Sequence, residues 1–196
     1  MPGLLDYVDF SQQSLWLAVA HILFNPIFWN TVARAEYRKK VLTKLAGGNP
    51  YRGTYGLAIT IFTLGITRDY LYHQALADQP THPFFDQDMV KITAALLFIT
   101  GNTLVLTSMW ALGVTGTYLG DYFGILMKER VTGFPFNVCD NPMYIGSTCV
   151  FLATALWYQS VTGVLLTALV YVVYKIALTY EEPFTAMIYA NKDKKN

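Results

Sequence analysis

Charge is scarce in this chain. Of its 196 residues only 14% are charged, whereas 54% are hydrophobic; an average soluble domain has about 25% charged residues. This deficit excludes an ordinary soluble domain and indicates an integral membrane protein. A formal net charge of +1, with no extended basic block, also argues against a nucleic-acid partner. The length predicts one membrane-embedded domain over residues 1–196.

Cysteine is nearly absent as well. The two cysteines, Cys139 and Cys149, fit no metal-ligand spacing, so neither a bound metal nor a disulfide framework is expected. The N-terminus lacks the basic segment and cleavage site of a signal peptide, so the first apolar segment is expected to stay in the mature protein. No glycine motif of the Rossmann type follows a predicted strand, and a Rossmann domain is therefore not indicated.

Long uncharged runs are what the chain does have. They cover residues 10–33, 53–67, 92–120 and 143–174. A membrane-spanning helix needs roughly 20 such residues, so the first run either spans the membrane or lies partly embedded. The second run is short, and Arg68 at its end is expected to snorkel toward the interface.

The fourth run is longer than one span needs. A polar interruption at 158–163 predicts two helices folded as a hairpin, roughly 143–159 and 161–180; the alternative is one tilted span from about 156 to 177. With the hairpin, the basic stretch 34–44 and the basic tail share one side of the membrane, as the positive-inside rule requires. The sequence therefore predicts an all-α, multi-pass bundle of four to five membrane helices.

A glycine-rich segment, 113–146, separates the last two runs. Gly113, Gly116, Gly120 and Gly124 would share one face of a helix, which favours either close helix packing or close approach of a ligand. The segment also carries Lys128 and Arg130, which could hold a phosphate or be solvated charges. Its aromatic residues suit either cation–π binding of a sulfonium or ammonium group or anchoring at the interface. They are Tyr118, Tyr122, Phe123, Phe134, Phe136 and Tyr144.

Two adjacent carboxylates, Glu181 and Glu182, precede Pro183, which is expected to end the last helix. Paired carboxylates at the end of a membrane span are costly without partners. They favour either binding of a ligand's hydroxyl or amino groups, with one glutamate suited to act as a general base, or a solvated helix end.

Four motifs make the chain similar to a known family. LGVTGTYLGDYFGIL, RVTGFPFNVCDNPMYIGST, YEEPFTAMIY and FNPIFWNTVAR resemble the phospholipid N-methyltransferases, the membrane enzymes that convert phosphatidylethanolamine to phosphatidylcholine. The resemblance covers nearly the whole chain and is most specific over 113–148 and 180–189. VTGFPFNV, YKIAL and EEPFTAMIYAN are most similar to the fungal-type enzyme, which prefers the mono- and dimethylated intermediates.

The resemblance implies S-adenosylmethionine as methyl donor. It assigns that cofactor to a G-x-G in the third run, here Ile99, Thr100 and Gly101, and to Glu181 and Glu182. Because Ile99 replaces the first glycine, only Gly101 matches the motif directly. The other candidates for positioning the headgroup or relaying its proton are Asp121, Tyr122, Asn137, Asn141 and Tyr144, with Lys128 or Arg130 for the lipid phosphate.

Two alternatives stay open. Isoprenylcysteine carboxyl methyltransferases are wider relatives, but their turn reads RHPxYxG, and the Arg-His pair is replaced here by Asp140 and Asn141. A non-enzymatic membrane scaffold would explain the glycines but not the twin glutamates. The resemblance implies the endoplasmic reticulum membrane, with a mitochondrial membrane as runner-up, and a phospholipid partner. The sequence is also compatible with a homo-oligomer.

Overall fold

The computed structural model describes residues 3–129 and 131–193, and within these ranges the protein is helical, without a β-strand. The α-helices are α1 (Gln13–Lys39), α2 (Val41–Leu45), α3 (Pro50–Ala77), α4 (Asp88–Thr117), α5 (Pro142–Trp157) and α6 (Val161–Asp193). A short 3₁₀ turn at Leu4–Tyr7 precedes α1, and two others, Pro83–Phe85 and Gly120–Phe123, lie between helices. The prediction of an all-α membrane protein is confirmed.

Among the residues that the structure describes, three segments are long and apolar enough to cross a membrane. They are Gln13–Lys39, Asp88–Phe123 and Val161–Asn191; α5 is apolar but has only 16 residues. The predicted break in the fourth run is confirmed, because α5 ends at Trp157 and α6 begins at Val161. Gln159 in the turn has a φ of 55°, a left-handed geometry that ends α5.

The long helices alternate in direction, which gives the bundle two chemically different ends. At the acidic end, residues 78–87 meet the α5–α6 turn, where the His82 N–H donates to the Gln159 carbonyl at 2.8 Å. Lys91 donates a hydrogen bond to Asp86 there and holds the pKa of that carboxyl below its ordinary value.

At the basic end, residues 40–49 and 118–141 gather around the last turns of α6. Arg34 donates to the Tyr180 carbonyl at 2.8 Å, and the Met127 N–H donates to the Tyr189 hydroxyl at 3.2 Å. The basic stretch 34–44 and the C-terminus of α6 therefore lie at one end, as the hairpin prediction requires.

Small residues set the closest contact in the bundle. A Cβ placed on Gly101 of α4 would lie 2.6 Å from the Gly146 carbonyl of α5, and the converse distance is also 2.6 Å. Tyr72 of α3 is 1% exposed and bonds to backbone carbonyls of both α5 and α6. These contacts fix α5 between α4, α3 and α6.

Two sequence expectations are wrong. The helix α6 does not end at Pro183 but continues to Asp193, because Phe184 and Ile188 beyond the proline pack on a buried cluster that includes Tyr122. The four spaced glycines do not share a helix either. Gly113 has φ 64° and ψ −179°, a backbone geometry that glycine adopts without strain, and the regular helix is interrupted there.

Candidate active site

Glu181 lies in α6 toward the basic end and accepts three side-chain hydrogen bonds. Its Oε1 accepts from Trp29 Nε1 at 2.6 Å and from Asn30 Nδ2 at 2.8 Å, and its Oε2 accepts from the Tyr144 hydroxyl at 2.5 Å. An ionised carboxylate has about four lone-pair positions. These three donors hold the carboxylate rigidly and leave one position on Oε2 for a ligand.

Glu182 differs from its neighbour. Its side chain is exposed, and its one described hydrogen bond comes from Asn141 Nδ2 at 2.9 Å. Adjacent residues on a helix point about 100° apart, so the two carboxylates cannot both face the same space. The structure makes Glu181 the inward carboxylate and Glu182 a contact to the turn that begins α5.

A tight turn brings a third carboxylate to the same region. Leu119 has φ 61° and Gly124 has φ 84°, so the chain folds back over the end of α4 through the 3₁₀ turn. A Cβ at Gly120 would lie 2.6 Å from the Thr115 carbonyl, so only glycine fits there. Asp121 in this turn accepts a hydrogen bond from Thr185 of α6 at 3.2 Å.

These groups surround a cavity of about 530 Å³ between α1, α3, α4, α5 and α6. Its acidic lining residues are Asp69, Asp121, Asp140 and Glu181, and the one lysine or arginine among the described lining residues is Arg68. Aromatic side chains, among them Tyr118, Phe136 and Tyr174, line the rest of the wall together with aliphatic ones. The cavity is therefore acidic, aromatic and suited to a cationic ligand.

Comparison with known proteins decides the family. The family model described as phospholipid methyltransferase matches residues 89–192. The chain belongs to the phospholipid methyltransferase family. It is therefore an enzyme, and the scaffold alternative is excluded.

Relatives of this phospholipid methyltransferase align over nearly their whole length. The phosphatidyl-N-methylethanolamine N-methyltransferase of Emericella nidulans is 60% identical over 99% of this chain and 94% of the relative. The enzyme of the same name from Saccharomyces cerevisiae is 56% identical over 97% and 92%. The phosphatidylethanolamine N-methyltransferase of Homo sapiens is 48% identical over 98% and 96%. No solved structure matches the chain.

The cavity brings together four of the predicted site residues of this phospholipid methyltransferase. Asp121, Asn141, Tyr144 and Glu181 all line it. Asn141 also bonds Glu182, which links the fifth candidate to the same wall.

Other candidates lie elsewhere. Tyr122 is 1% exposed and stacks on Phe184 at 5.1 Å, outside the lining, and Asn137 is exposed. Lys128 is exposed and does not line the cavity, while Arg130 lies outside the described residues. Their assignments to the headgroup and to the lipid phosphate stay predictions.

The segment predicted to bind the cofactor from the third run is also separate from this cavity. Gly101 is buried against α5, and Thr100 is exposed outside the lining. Ile99 is 63% exposed and lines a second, neighbouring cavity instead. Packing accounts for the glycine at 101, and a cofactor contact at residues 99–101 stays a prediction.

Sequence reasoning missed three residues of the site. Trp29 and Asn30 bond Glu181 across about 150 residues of chain; the FNPIFWN motif was the available signal. Arg68 does not snorkel: its side chain is 12% exposed, bonds the Tyr174 hydroxyl at 2.6 Å and stacks over Phe151 at 4.8 Å. The apolar run before Arg68 suggested a helix end, whereas α3 continues to Ala77.

Proposed function

We propose that this enzyme transfers methyl groups from S-adenosylmethionine to the headgroup nitrogen of phosphatidyl-N-methylethanolamine and of its dimethyl form, giving phosphatidylcholine. The single observation that carries the proposal is the Glu181 carboxylate, held by three donors at the wall of an acidic cavity. The relatives from Emericella nidulans and Saccharomyces cerevisiae, at 60% and 56% identity, carry the name of the methylethanolamine enzyme.

The lining fits the proposed cofactor. At neutral pH S-adenosylmethionine carries a sulfonium, an ammonium and a carboxylate, so it is a net cation that donates hydrogen bonds. Asn25 Oδ1 and Thr117 Oγ1 are buried acceptors of the cavity wall without a described hydrogen-bond partner. Buried polar atoms of this kind are normally satisfied, and a donating ligand would satisfy them.

The residues that would hold the cofactor are Glu181, through its open lone-pair position, together with Asn25 and Thr117. When bound, the cofactor supplies an electrophilic methyl group on a positively charged sulfur. Tyr144 and Asn30 orient Glu181, and the aromatic wall around Tyr174 limits access of water. Holding donor and acceptor in line is worth several kcal/mol in such reactions without a strong base.

The acceptor nitrogen must be neutral to attack. A free alkyl amine has a pKa of about 10, and an environment of low polarity lowers that value. As the new N–C bond forms and the C–S bond breaks, the nitrogen of a mono- or dimethyl headgroup must have lost one proton. Asp121 is the carboxylate that we assign to receive it, because it lines the cavity on the side facing α6 and has only the Thr185 hydroxyl as a side-chain donor.

The same proposal includes an orientation and a compartment. The positive-inside rule places the basic end in the cytosol, where S-adenosylmethionine is available. The family resemblance favours the endoplasmic reticulum membrane over a mitochondrial one.

The test offers purified enzyme with labelled S-adenosylmethionine three lipids in parallel: phosphatidylethanolamine and its mono- and dimethyl forms. We expect kcat/KM to be higher for the two methylated lipids than for phosphatidylethanolamine. Equal or higher kcat/KM for unmethylated phosphatidylethanolamine would refute the assigned acceptor. Methylation of a prenylated cysteine peptide without lipid methylation would refute the lipid assignment altogether.

A further inference from the structure

A second cavity adjoins the one that contains Glu181. It measures about 740 Å³ and lies between α3, α4 and α5, toward the acidic end. Its lining is mostly apolar and includes Ala94, Ala95, Phe98, Val150 and Trp157. We call it the apolar groove.

The groove and the Glu181 cavity meet at a charged junction. Arg68, Asp69, Val105 and Ser147 line both spaces. Arg68 is the only lysine or arginine among the described residues that line either one. The junction therefore places this arginine between an acidic site and an apolar groove.

Not every N–H donor of the Arg68 guanidinium has a described acceptor in the protein. Its Nε and Nη2 donate to Asp69 Oδ1 at 3.0 and 2.8 Å, and its Nη1 donates to the Tyr174 hydroxyl at 2.6 Å. Arginine carries five N–H donors, so two of them have no described acceptor although the side chain is only 12% exposed. A buried cation with spare donors indicates an anionic ligand.

The position of Arg68 suits the linker of a phospholipid. Tyr174 and Glu181 are seven residues apart on α6, about 10 Å along the helix axis. The two-carbon bridge between phosphate and nitrogen is shorter than that separation. The Tyr144 and Tyr174 rings pack against each other with their centroids 4.8 Å apart. A phosphate at Arg68 therefore places the headgroup nitrogen on the path from this ring pair to Glu181. Aromatic rings attract methylated ammonium groups.

We propose that Arg68 binds the phosphodiester of the lipid substrate, that the headgroup nitrogen occupies the Glu181 cavity, and that an acyl chain lies in the apolar groove. This inference rests on the proposed phospholipid substrate. It explains why an arginine lies within the bundle. A phosphate that enters the bundle loses its hydration, and a buried cation has to compensate for that loss. Lys128, exposed to solvent, cannot supply that exchange.

The experiment compares Arg68→Gln with Arg52→Gln, which removes an exposed arginine of the same helix outside both linings. Each protein is given phosphatidyl-N-methylethanolamine and an analogue in which a neutral ether replaces the phosphodiester. For Arg68→Gln we expect kcat/KM for the phospholipid to fall about 10- to 100-fold, the usual worth of a charge-assisted contact. Activity on the analogue should change less than about twofold, and Arg52→Gln should match wild type on both.

Several outcomes overturn the proposal. An equal loss on both substrates makes Arg68 a purely structural residue. A weaker affinity for S-adenosylmethionine with an unchanged KM for the lipid makes Arg68 a cofactor contact. Loss of the phosphate preference in Lys128→Ala, but not in Arg68→Gln, moves the phosphate site to Lys128. If wild type does not methylate the phospholipid at all, the proposed function fails first, so the two failures are distinguishable.

A second variant keeps the test valid if Arg68→Gln does not fold. Arg68→Lys retains the charge and loses the planar fork, so the phosphate preference should persist with a KM raised several-fold. Equal losses on both substrates would again contradict the proposal.

The groove is tested separately by chain length. Ala95→Trp fills it, whereas Leu96→Trp places the same side chain at a neighbouring, 61% exposed position outside the lining. Ala95→Trp should raise KM for a long-chain substrate at least about fivefold more than for a dihexanoyl substrate, and Leu96→Trp should not discriminate. Equal effects of the two variants would refute an acyl chain in the groove.

Discussion

Replacement of Glu181 by glutamine is the most direct test of the site. The substitution keeps the shape of the side chain but replaces one carboxylate oxygen by an NH₂ group, which donates hydrogen bonds. Oε1 faces two donors and Oε2 faces one. An NH₂ group at the Oε1 position would meet the N–H groups of Trp29 and Asn30, so it is expected at the Oε2 position, where it can no longer accept a hydrogen bond from Tyr144 or from a ligand.

The magnitude follows from the hydrogen bonds. A bond to a charged group is worth about 1.5–3 kcal/mol, and each 1.4 kcal/mol is about tenfold in affinity. If Glu181 contacts the cofactor with its open lone-pair position, its loss should weaken cofactor binding about 10- to 150-fold. Glu182→Gln should change affinity less than about fivefold, because the side chain is exposed and the amide oxygen can still accept from Asn141.

The assay is binding of S-adenosylhomocysteine to purified enzyme by calorimetry, paired with kcat and KM at saturating methyl donor. Tyr144→Phe is the matched control, since it removes one donor and leaves the carboxylate in place; its effect should be intermediate. A folded Glu181→Gln protein that binds the cofactor product as tightly as wild type would refute the assignment. So would a larger effect of Glu182→Gln than of Glu181→Gln.

Three further predictions concern the fold. Gly101→Ala should lower the free energy of unfolding by about 1–3 kcal/mol, because the added methyl group overpacks against α5. The measurement is Tm, which should fall. A loss of cofactor affinity at unchanged Tm would instead support a cofactor contact at residues 99–101. Glu36→Ala should cost about 1–3 kcal/mol, also measured from Tm, because it leaves without an acceptor two partly buried backbone N–H groups and a hydroxyl that now donate to its carboxylate. In a cysteine-free background, Lys44→Cys and Asn191→Cys should react with an impermeant thiol reagent from one side of the membrane and Asp78→Cys from the other; labelling of Lys44→Cys and Asn191→Cys from opposite sides would contradict the hairpin.

The alternation of the helices could be predicted from the sequence because charge and hydrophobicity report it directly. The polar interruption at 158–163 marked the break between α5 and α6, and the basic stretch 34–44 indicated which ends belong together. The end of α6 could not be predicted in the same way. Pro183 disfavours helix locally, but packing of Phe184 and Ile188 on the buried cluster outweighs that preference.

The site was predictable only where chemistry and motif coincide. The sequence indicates Asp121 and Tyr144 as candidates for the headgroup and Glu181 as one for the cofactor, and the three do share one cavity. The sequence does not indicate Trp29 and Asn30 as partners of Glu181, since a contact between residue 29 and residue 181 depends on tertiary packing. The sequence misleads about Arg68 for a related reason. Its neighbours in the chain suggest the end of a helix, and its hydrogen bonds to Tyr174 and Asp69 follow only from the packing of the bundle.

The glycines of this enzyme perform two different tasks, and together these tasks form the cavity. Gly101 and Gly146 let α4 and α5 pack closely below it, so their polar neighbours Ser147 and Tyr144 reach the wall. Gly113 ends that regular packing with a backbone geometry that glycine alone tolerates, and the chain then turns across the basic end. Asp121 in that turn consequently faces α6, where it accepts a hydrogen bond from Thr185. The close packing of α4 on α5 and the turn at 118–124 thus hold two carboxylates, Asp121 and Glu181, on the wall of one cavity.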